Sequence, residues 1–117
     1  MAEIRVPGGA RLQHGESLVF RFAGADGETE EGFVLRFCEG PIDRLVAYRN
    51  HCPHIGTDLD MGRRRFFSAK VSRIYCNTHG ARFLPLTGEC DFGPCVGLRL
   101  DAYEVRQDGD DAVVTIP

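Results

Sequence analysis

The stretch NHCPHIGTDLD, residues 50–60, places a cysteine two residues before a histidine. A second stretch, YCNTHGARF, residues 75–83, places a cysteine three residues before a histidine. Thiolate and imidazole are soft or borderline metal ligands, so the two stretches together predict a metal site. The candidate ligands are Cys52, His54, Cys76 and His79.

The distribution of these ligands bears on which metal they hold. Mixed zinc sites usually take a cysteine pair from one turn and a histidine pair from another, whereas here each loop supplies one of each. That mixing suits a two-iron cluster in which one iron takes both thiolates and the other takes both imidazoles. Tetrahedral zinc remains the alternative from the ligands alone, and the chain would then be a structural zinc-binding interaction module.

Short β-favouring runs surround the two loops, and they are separated by turns rich in glycine, aspartate and proline. No long segment carries a helical period. Short strands at this spacing predict an all-β sandwich or barrel. The runs are residues 17–22, 32–37, 44–50, 72–76, 98–105 and 112–116.

Length and charge restrict the classes of protein to consider. A chain of 117 residues predicts one domain, 1–117. The chain has 14 basic and 17 acidic residues, for a net charge of −3, and a nucleic-acid binder would need a net basic surface, so we expect no nucleic-acid partner. No stretch approaches the ~18 apolar residues of a membrane span or contains a signal-peptide core, so we expect a cytoplasmic protein with no membrane attachment.

Three short motifs carry a resemblance to a known family. CPHIG (52–56), CNTHGARF (76–83) and TGECDFGPC (87–95) resemble the Rieske [2Fe-2S] domain. The resemblance implies an antiparallel β-sandwich or barrel with a small cluster-binding subdomain of two ligand loops, within residues 45–96. Gly93 and Pro94 would belong to a third loop that covers the cluster.

The same resemblance implies one [2Fe-2S] cluster per chain and a role for each ligand. Cys52 and Cys76 would hold the inner iron. His54 and His79 would hold the outer iron, which faces solvent. A cluster with two neutral imidazoles carries less negative charge than one with four thiolates, so it accepts an electron more readily.

A carrier function follows from this resemblance. The chain has no dinucleotide, phosphate-loop or flavin fingerprint, and it lacks the mononuclear-iron domain of ring-hydroxylating oxygenases. We therefore expect an electron-transfer protein that is not itself an enzyme. It would be a monomeric Rieske-type ferredoxin that takes single electrons from a separate flavin-dependent reductase. It would pass them to a separate terminal oxygenase, an aromatic-ring dioxygenase. The alternative is a Rieske-like small subunit of a reductase complex such as nitrite reductase.

Residues near the ligands indicate where the redox potential lies. High-potential members of the family have a serine and a tyrosine that donate to the cluster, and an extra cysteine in each ligand loop that forms a disulfide. The aligned residues here cannot act in these ways, so we expect the low end of the ~−150 to +300 mV range of such clusters. They are Ala81, Phe83, Thr57 and Thr78.

Two further features lie outside the ligand pattern. The segment 62–73 has five basic residues and adjacent phenylalanines, and it is either a solvated hairpin or a rim that steers an acidic partner. Phe66 and Phe67 are adjacent, so in a strand one would face the core and the other would face out as a candidate contact; core packing of both is the alternative. A bridge between Cys90 and Cys95 is geometrically feasible, but a reducing compartment favours two free thiols.

Overall fold

The computed structural model describes residues 2–53, 56–78 and 80–117, and these residues form antiparallel strands almost throughout. The predicted all-β architecture is confirmed. The one helix of this described part is a 3-10 turn of three residues, so no helix in it could cross a bilayer. The strands are β1 (Ala2–Val6), β2 (Ser17–Ala23), β3 (Thr29–Glu39), β4 (Ile42–Arg49), β5 (Phe67–Ser68), β6 (Arg73–Tyr75), β7 (Arg82–Phe83), β8 (Cys90–Phe92), β9 (Ala102–Asp108) and β10 (Asp111–Ile116).

The strands form two sheets. Six of them make a nearly closed, barrel-like sheet in the order β1-β10-β9-β4-β3-β2. The other four make a small meander in the order β5-β6-β7-β8. The first predicted ligand loop lies in the segment that leads from β4 of the barrel-like sheet to β5 of the small sheet, and the second connects β6 with β7 within the small sheet.

Strands β3 and β4 are covered on both faces. Phe33 and Leu35 of β3 pack in a core beneath the small sheet, whereas Val34 between them packs inside the barrel with Val114. Alternate residues of a strand point to opposite faces, so a strand with two covered faces needs a continuous apolar run. The sequence FVL at 33–35 meets that need, and it makes β3 the common wall of the two cores.

Phe66 attaches the small sheet to this wall. Its ring stacks on Phe33 with 4.1 Å between the centroids and 11° between the planes. Phe67 is half-buried, and it meets the ring of His14 edge-on. Both phenylalanines therefore pack against the core beneath the small sheet, which is the second of the two arrangements expected from the sequence.

The strand predicted at 98–105 is wrong in its first four residues. Strand β9 begins only at Ala102. Residues 98–100 instead run beside the start of β8, where the Cys90 N–H donates to the Leu98 carbonyl at 2.9 Å and Arg99 forms an isolated bridge with Glu89. Only the second half of this apolar run is therefore a strand, and hydrophobic alternation alone does not reveal where within the run the strand begins.

Tyr48 fastens the turn after β7 to the barrel wall. Its buried hydroxyl donates to the Pro85 carbonyl at 2.7 Å. Gly88 lies against its ring, and a Cβ at this glycine would come within 2.8 Å of Tyr48 Cε1. Burial raises the pKa of Tyr48 to about 12, and it likewise raises the pKa of Tyr103 to about 12.

These two tyrosines predict a loss of stability at high pH. The unfolded chain ionises its phenols near pH 10, whereas the folded protein keeps them neutral to about pH 12. The stability that they contribute is therefore complete below pH 10 and is lost as the pH rises to about 12. Tyr48→Phe removes one of the two groups, so its guanidinium midpoint should fall less steeply than that of the native protein over this range. Equal slopes would contradict the assignment.

Candidate metal centre

The first ligand loop is a tight hairpin that follows β4. The Cys52 N–H donates to the Thr57 carbonyl at 2.7 Å, and the Gly56 N–H donates back to the Cys52 carbonyl at 2.8 Å. Gly56 has φ +77°, a left-handed conformation that glycine adopts without strain. Pro53 fixes its own φ and favours an extended Cys52. The cysteine is therefore held at the mouth of a closed turn.

The second ligand loop repeats this pattern after β6. The Cys76 N–H donates to the Ala81 carbonyl at 2.9 Å, and the Gly80 N–H donates to the Cys76 carbonyl at 3.0 Å. Gly80 has φ +71°. Cys52 and Cys76 thus occupy equivalent positions in two hairpins of the same hydrogen-bond pattern, and both side chains are buried in one core.

Leu59 ties the two hairpins together through its backbone. Its N–H donates to Asn50 Oδ1, beside the first hairpin, at 2.7 Å. Its carbonyl accepts from the backbone N–H of Asn77, in the second hairpin, at 2.8 Å and from Asn77 Nδ2 at 3.0 Å. The spacing between the hairpins is thus set by protein hydrogen bonds.

A buried carboxylate supports the same frame. Asp60 is fully buried, and its Oδ1 accepts from Asn50 Nδ2 at 3.1 Å. Backbone N–H groups of Gly62 and Arg64 donate to its two oxygens at 3.3 and 3.1 Å. Neither Asn50 nor Asp60 was among the residues that the sequence pattern indicated. Asp-Met-Gly at 60–62 is typical of an Asx turn and could have indicated the turn, though not the asparagine that it meets.

The third loop packs directly on the second ligand hairpin. Gly93 has φ +102°, and a Cβ built on it would lie 2.9 Å from Ala81 Cα. A side chain at residue 93 would therefore push the two loops apart. The position predicted to cover the cluster thus touches the hairpin that begins at Cys76.

Cys90 and Cys95 form a close pair of sulfurs beneath this loop. Both are buried free thiols, and Cys95 Sγ donates to Cys90 Sγ at 2.7 Å. Burial, and then the hydrogen bond to Cys90, raise the pKa of the Cys95 thiol to about 12. Cys95 is therefore a protonated thiol at neutral pH.

The structure describes the two predicted cysteine ligands but not the two predicted histidine ligands. Cys52 and Cys76 share the core beneath the small sheet. His54 and His79 lie outside the described residues, so their place in the site stays a prediction. The described donors fit the thiolate half of a cluster site, because two buried sulfurs stand in equivalent turns that hydrogen bonds hold at a fixed spacing.

Comparison with known families agrees with this fit. The family described as Rieske [2Fe-2S] domain matches residues 6–104 of the 117-residue chain. The chain therefore belongs to the Rieske [2Fe-2S] domain family, and it is an iron–sulfur electron carrier whose cofactor is a [2Fe-2S] cluster. No curated protein matches the chain. The family match favours iron over the zinc alternative.

Proposed function

We propose that the protein is a Rieske-type ferredoxin of the cytoplasm. As a monomer it takes one electron from a separate flavin-dependent reductase and gives it to a separate terminal oxygenase, an aromatic-ring dioxygenase. The observation that carries this proposal is the pair of equivalent cysteine hairpins joined through Leu59. A frame held by protein hydrogen bonds moves little when charge is added, as a carrier needs.

The proposal gives each ligand a place. Cys52 and Cys76 would hold the inner iron, and His54 and His79 would hold the outer one. When bound, the cluster supplies a one-electron couple. Leu59 and Asn77 keep the hairpins at a fixed spacing in both oxidation states, and Gly93 allows the third loop to lie against Ala81 and keep water away.

An exposed rim beside the second hairpin suits brief docking. The exposed apolar side chains of the third loop are Phe92 (52%), Val96 (64%) and Leu98 (47%). The Arg82 guanidinium lies 4.2 Å from the centroid of the Phe92 ring, so the rim also carries a positive charge. An acidic partner surface with an apolar centre would complement it.

The basic segment 62–73 contributes less to this rim than its composition suggests. Arg64 pairs with Glu31 at 3.2 Å, and Arg73 pairs with Asp91 at 3.0 Å. Pairing cancels much of the field that two of the five basic residues would exert on a partner. Arg82, in the strand that follows the second hairpin, is the better candidate for steering.

Reconstitution with the reductase and dioxygenase of the host tests the proposal. NADH-driven oxygen uptake with an aromatic substrate should require this protein. Arg82→Glu should slow this oxygen uptake about tenfold at low salt and much less at high salt, and it should leave the visible spectrum of the protein unchanged. Arg106→Glu, on β9, is the matched control. Purification only as a tight complex with a reductase would contradict a free carrier and favour the small-subunit alternative.

The redox potential should lie at the low end of the family's range. Ala81 and Phe83 are buried and have no hydroxyl to donate to the cluster. Fewer donors stabilise the reduced state less, so the midpoint in voltammetry should fall below about +100 mV. Ala81→Ser adds a hydroxyl beside the second hairpin and should raise the midpoint. A native midpoint well above that value would contradict this expectation.

A further inference from the structure

We propose that Cys90 and Cys95 are a second redox site, a dithiol that a low-molecular-weight disulfide such as oxidised glutathione converts into a protein disulfide. The bridge closes the third loop beside the cluster-binding hairpins. This inference goes beyond the carrier function. It rests on the position of two cysteines that are not among the cluster ligands.

The two sulfurs are already close to bonding geometry. They lie 2.7 Å apart, and disulfide sulfurs are about 2.05 Å apart, so closure needs a movement of less than about 1 Å. Leu98 fixes both cysteines: its carbonyl accepts from the Cys90 N–H at 2.9 Å, and its N–H donates to the Cys95 carbonyl at 2.9 Å. The folded backbone therefore holds the pair ready to close.

The site lies against the metal centre. Both cysteines belong to the core that contains Cys52 and Cys76. The loop that the bridge would close contains Gly93, which packs on Ala81 at the end of the second hairpin. A covalent bond here would therefore fasten the segment that separates this hairpin from solvent.

The exchange reaction balances with glutathione as the oxidant. Cys90, which is 6% exposed against 1% for Cys95, loses its proton and attacks one glutathione sulfur. A mixed disulfide forms, and one reduced glutathione leaves with the proton. The Cys95 sulfur then loses its proton and attacks Cys90 Sγ, which expels the second reduced glutathione. The protein loses two electrons and two protons, and the glutathione disulfide gains them.

Access to Cys90 requires the third loop to open. Exchange should therefore be slower than at a thiol on the surface. Cys38 provides the comparison within the same chain, because it is less buried than Cys90 and Cys95 and lies in β3, away from both ligand hairpins. Cys38 should take up glutathione as a mixed disulfide, whereas the Cys90–Cys95 pair should end without any adduct.

Thiol counting on the cluster-loaded protein tests the proposal. The protein is equilibrated without oxygen over a range of reduced to oxidised glutathione, quenched in acid, alkylated and analysed by mass spectrometry. Cys38→Ala should lose two alkylatable thiols together and yield a peptide bridged between Cys90 and Cys95. Cys38→Ala/Cys95→Ala should instead stop at a glutathione adduct on Cys90. A bridge to Cys52 or Cys76, or an unreacted pair where Cys38 is fully modified, would overturn the proposal.

Cluster retention tests the effect of the bridge on the site. The Cys38→Ala protein with the Cys90–Cys95 disulfide should lose the visible absorbance of its cluster in guanidinium and chelator about tenfold more slowly than the same protein with free Cys90 and Cys95 thiols. The reason is that the bridge restrains opening of the third loop. Equal rates would overturn the fastening role. The thiol count involves no electron-transfer partner, so the dithiol proposal can hold even if the carrier proposal fails. The carrier proposal can likewise hold if the dithiol proposal fails.

Discussion

Cys52→Ser should leave the protein with less than about a tenth of its iron, and Cys76→Ser should do the same. Each cysteine stands at the mouth of its hairpin, where its own N–H and carbonyl close the turn. A serine hydroxyl fits that space but is a hard, weakly acidic ligand that replaces thiolate poorly. Iron and sulfide analysis, together with the visible spectrum, measures the loss.

Cys38→Ser is the matched control for this prediction. Cys38 lies in β3 and donates to Asp43, and it belongs to neither hairpin. Its replacement should leave the iron content unchanged. If Cys52→Ser kept the native iron content, or if Cys38→Ser lost it, the assignment of the thiolate ligands would be wrong.

Asp60→Ala should lower the free energy of unfolding by about 3–5 kcal/mol. The carboxylate is fully buried and accepts from Asn50 Nδ2 and from the N–H groups of Gly62 and Arg64. Alanine leaves these donors without their acceptor in a dry site. Guanidinium unfolding measures the change, and cluster loss should also be faster, because Leu59 beside it joins the two hairpins.

Asp58→Ala separates this network from a general effect of removing negative charge. The Asp58 side chain is largely exposed, although its partial desolvation, and then the charges of Glu31 and Asp60, raise its pKa. Removing it relieves repulsion, so the free energy of unfolding should change by less than about 0.5 kcal/mol. Similar losses in the two variants would contradict the structural role of Asp60.

The sequence revealed the strands whose signal is local. The run FVL at 33–35 predicts a strand by itself, and the structure uses it as a wall covered on both faces. Strand β1, Ala2–Val6, was missed because its partner β10 lies at the other end of the chain and its own composition favours strands weakly. Pairing at that distance in the chain leaves no trace in a short window of residues.

The sequence also indicated the two predicted cysteine ligands, because their signal is local as well. It did not indicate the hydrogen bonds that hold the two hairpins together. Cys52 and Cys76 stand out because their spacing to a histidine is read within one loop. The two hairpins are joined by the backbone of Leu59, and every residue except proline would offer the same N–H and carbonyl at that position. Backbone contacts of this kind leave no mark on the sequence.

Buried Arg36 is a further residue that the pattern concealed. Its Nη2 donates to the Ala10 carbonyl at 2.7 Å, and its Nε donates to the Leu12 carbonyl at 3.2 Å. An arginine in a strand ordinarily indicates a solvent-facing position. The carbonyls that satisfy it lie more than 20 residues earlier in the chain, so only the fold accounts for its burial.

An electron paramagnetic resonance spectrum of the dithionite-reduced protein, with iron, sulfide and zinc measured on the same sample, tests the cluster assignment most directly. A Rieske carrier should give a rhombic signal with the low average g of a histidine-ligated [2Fe-2S] cluster, and two irons for each chain. A silent spectrum with one zinc for each chain would contradict this assignment.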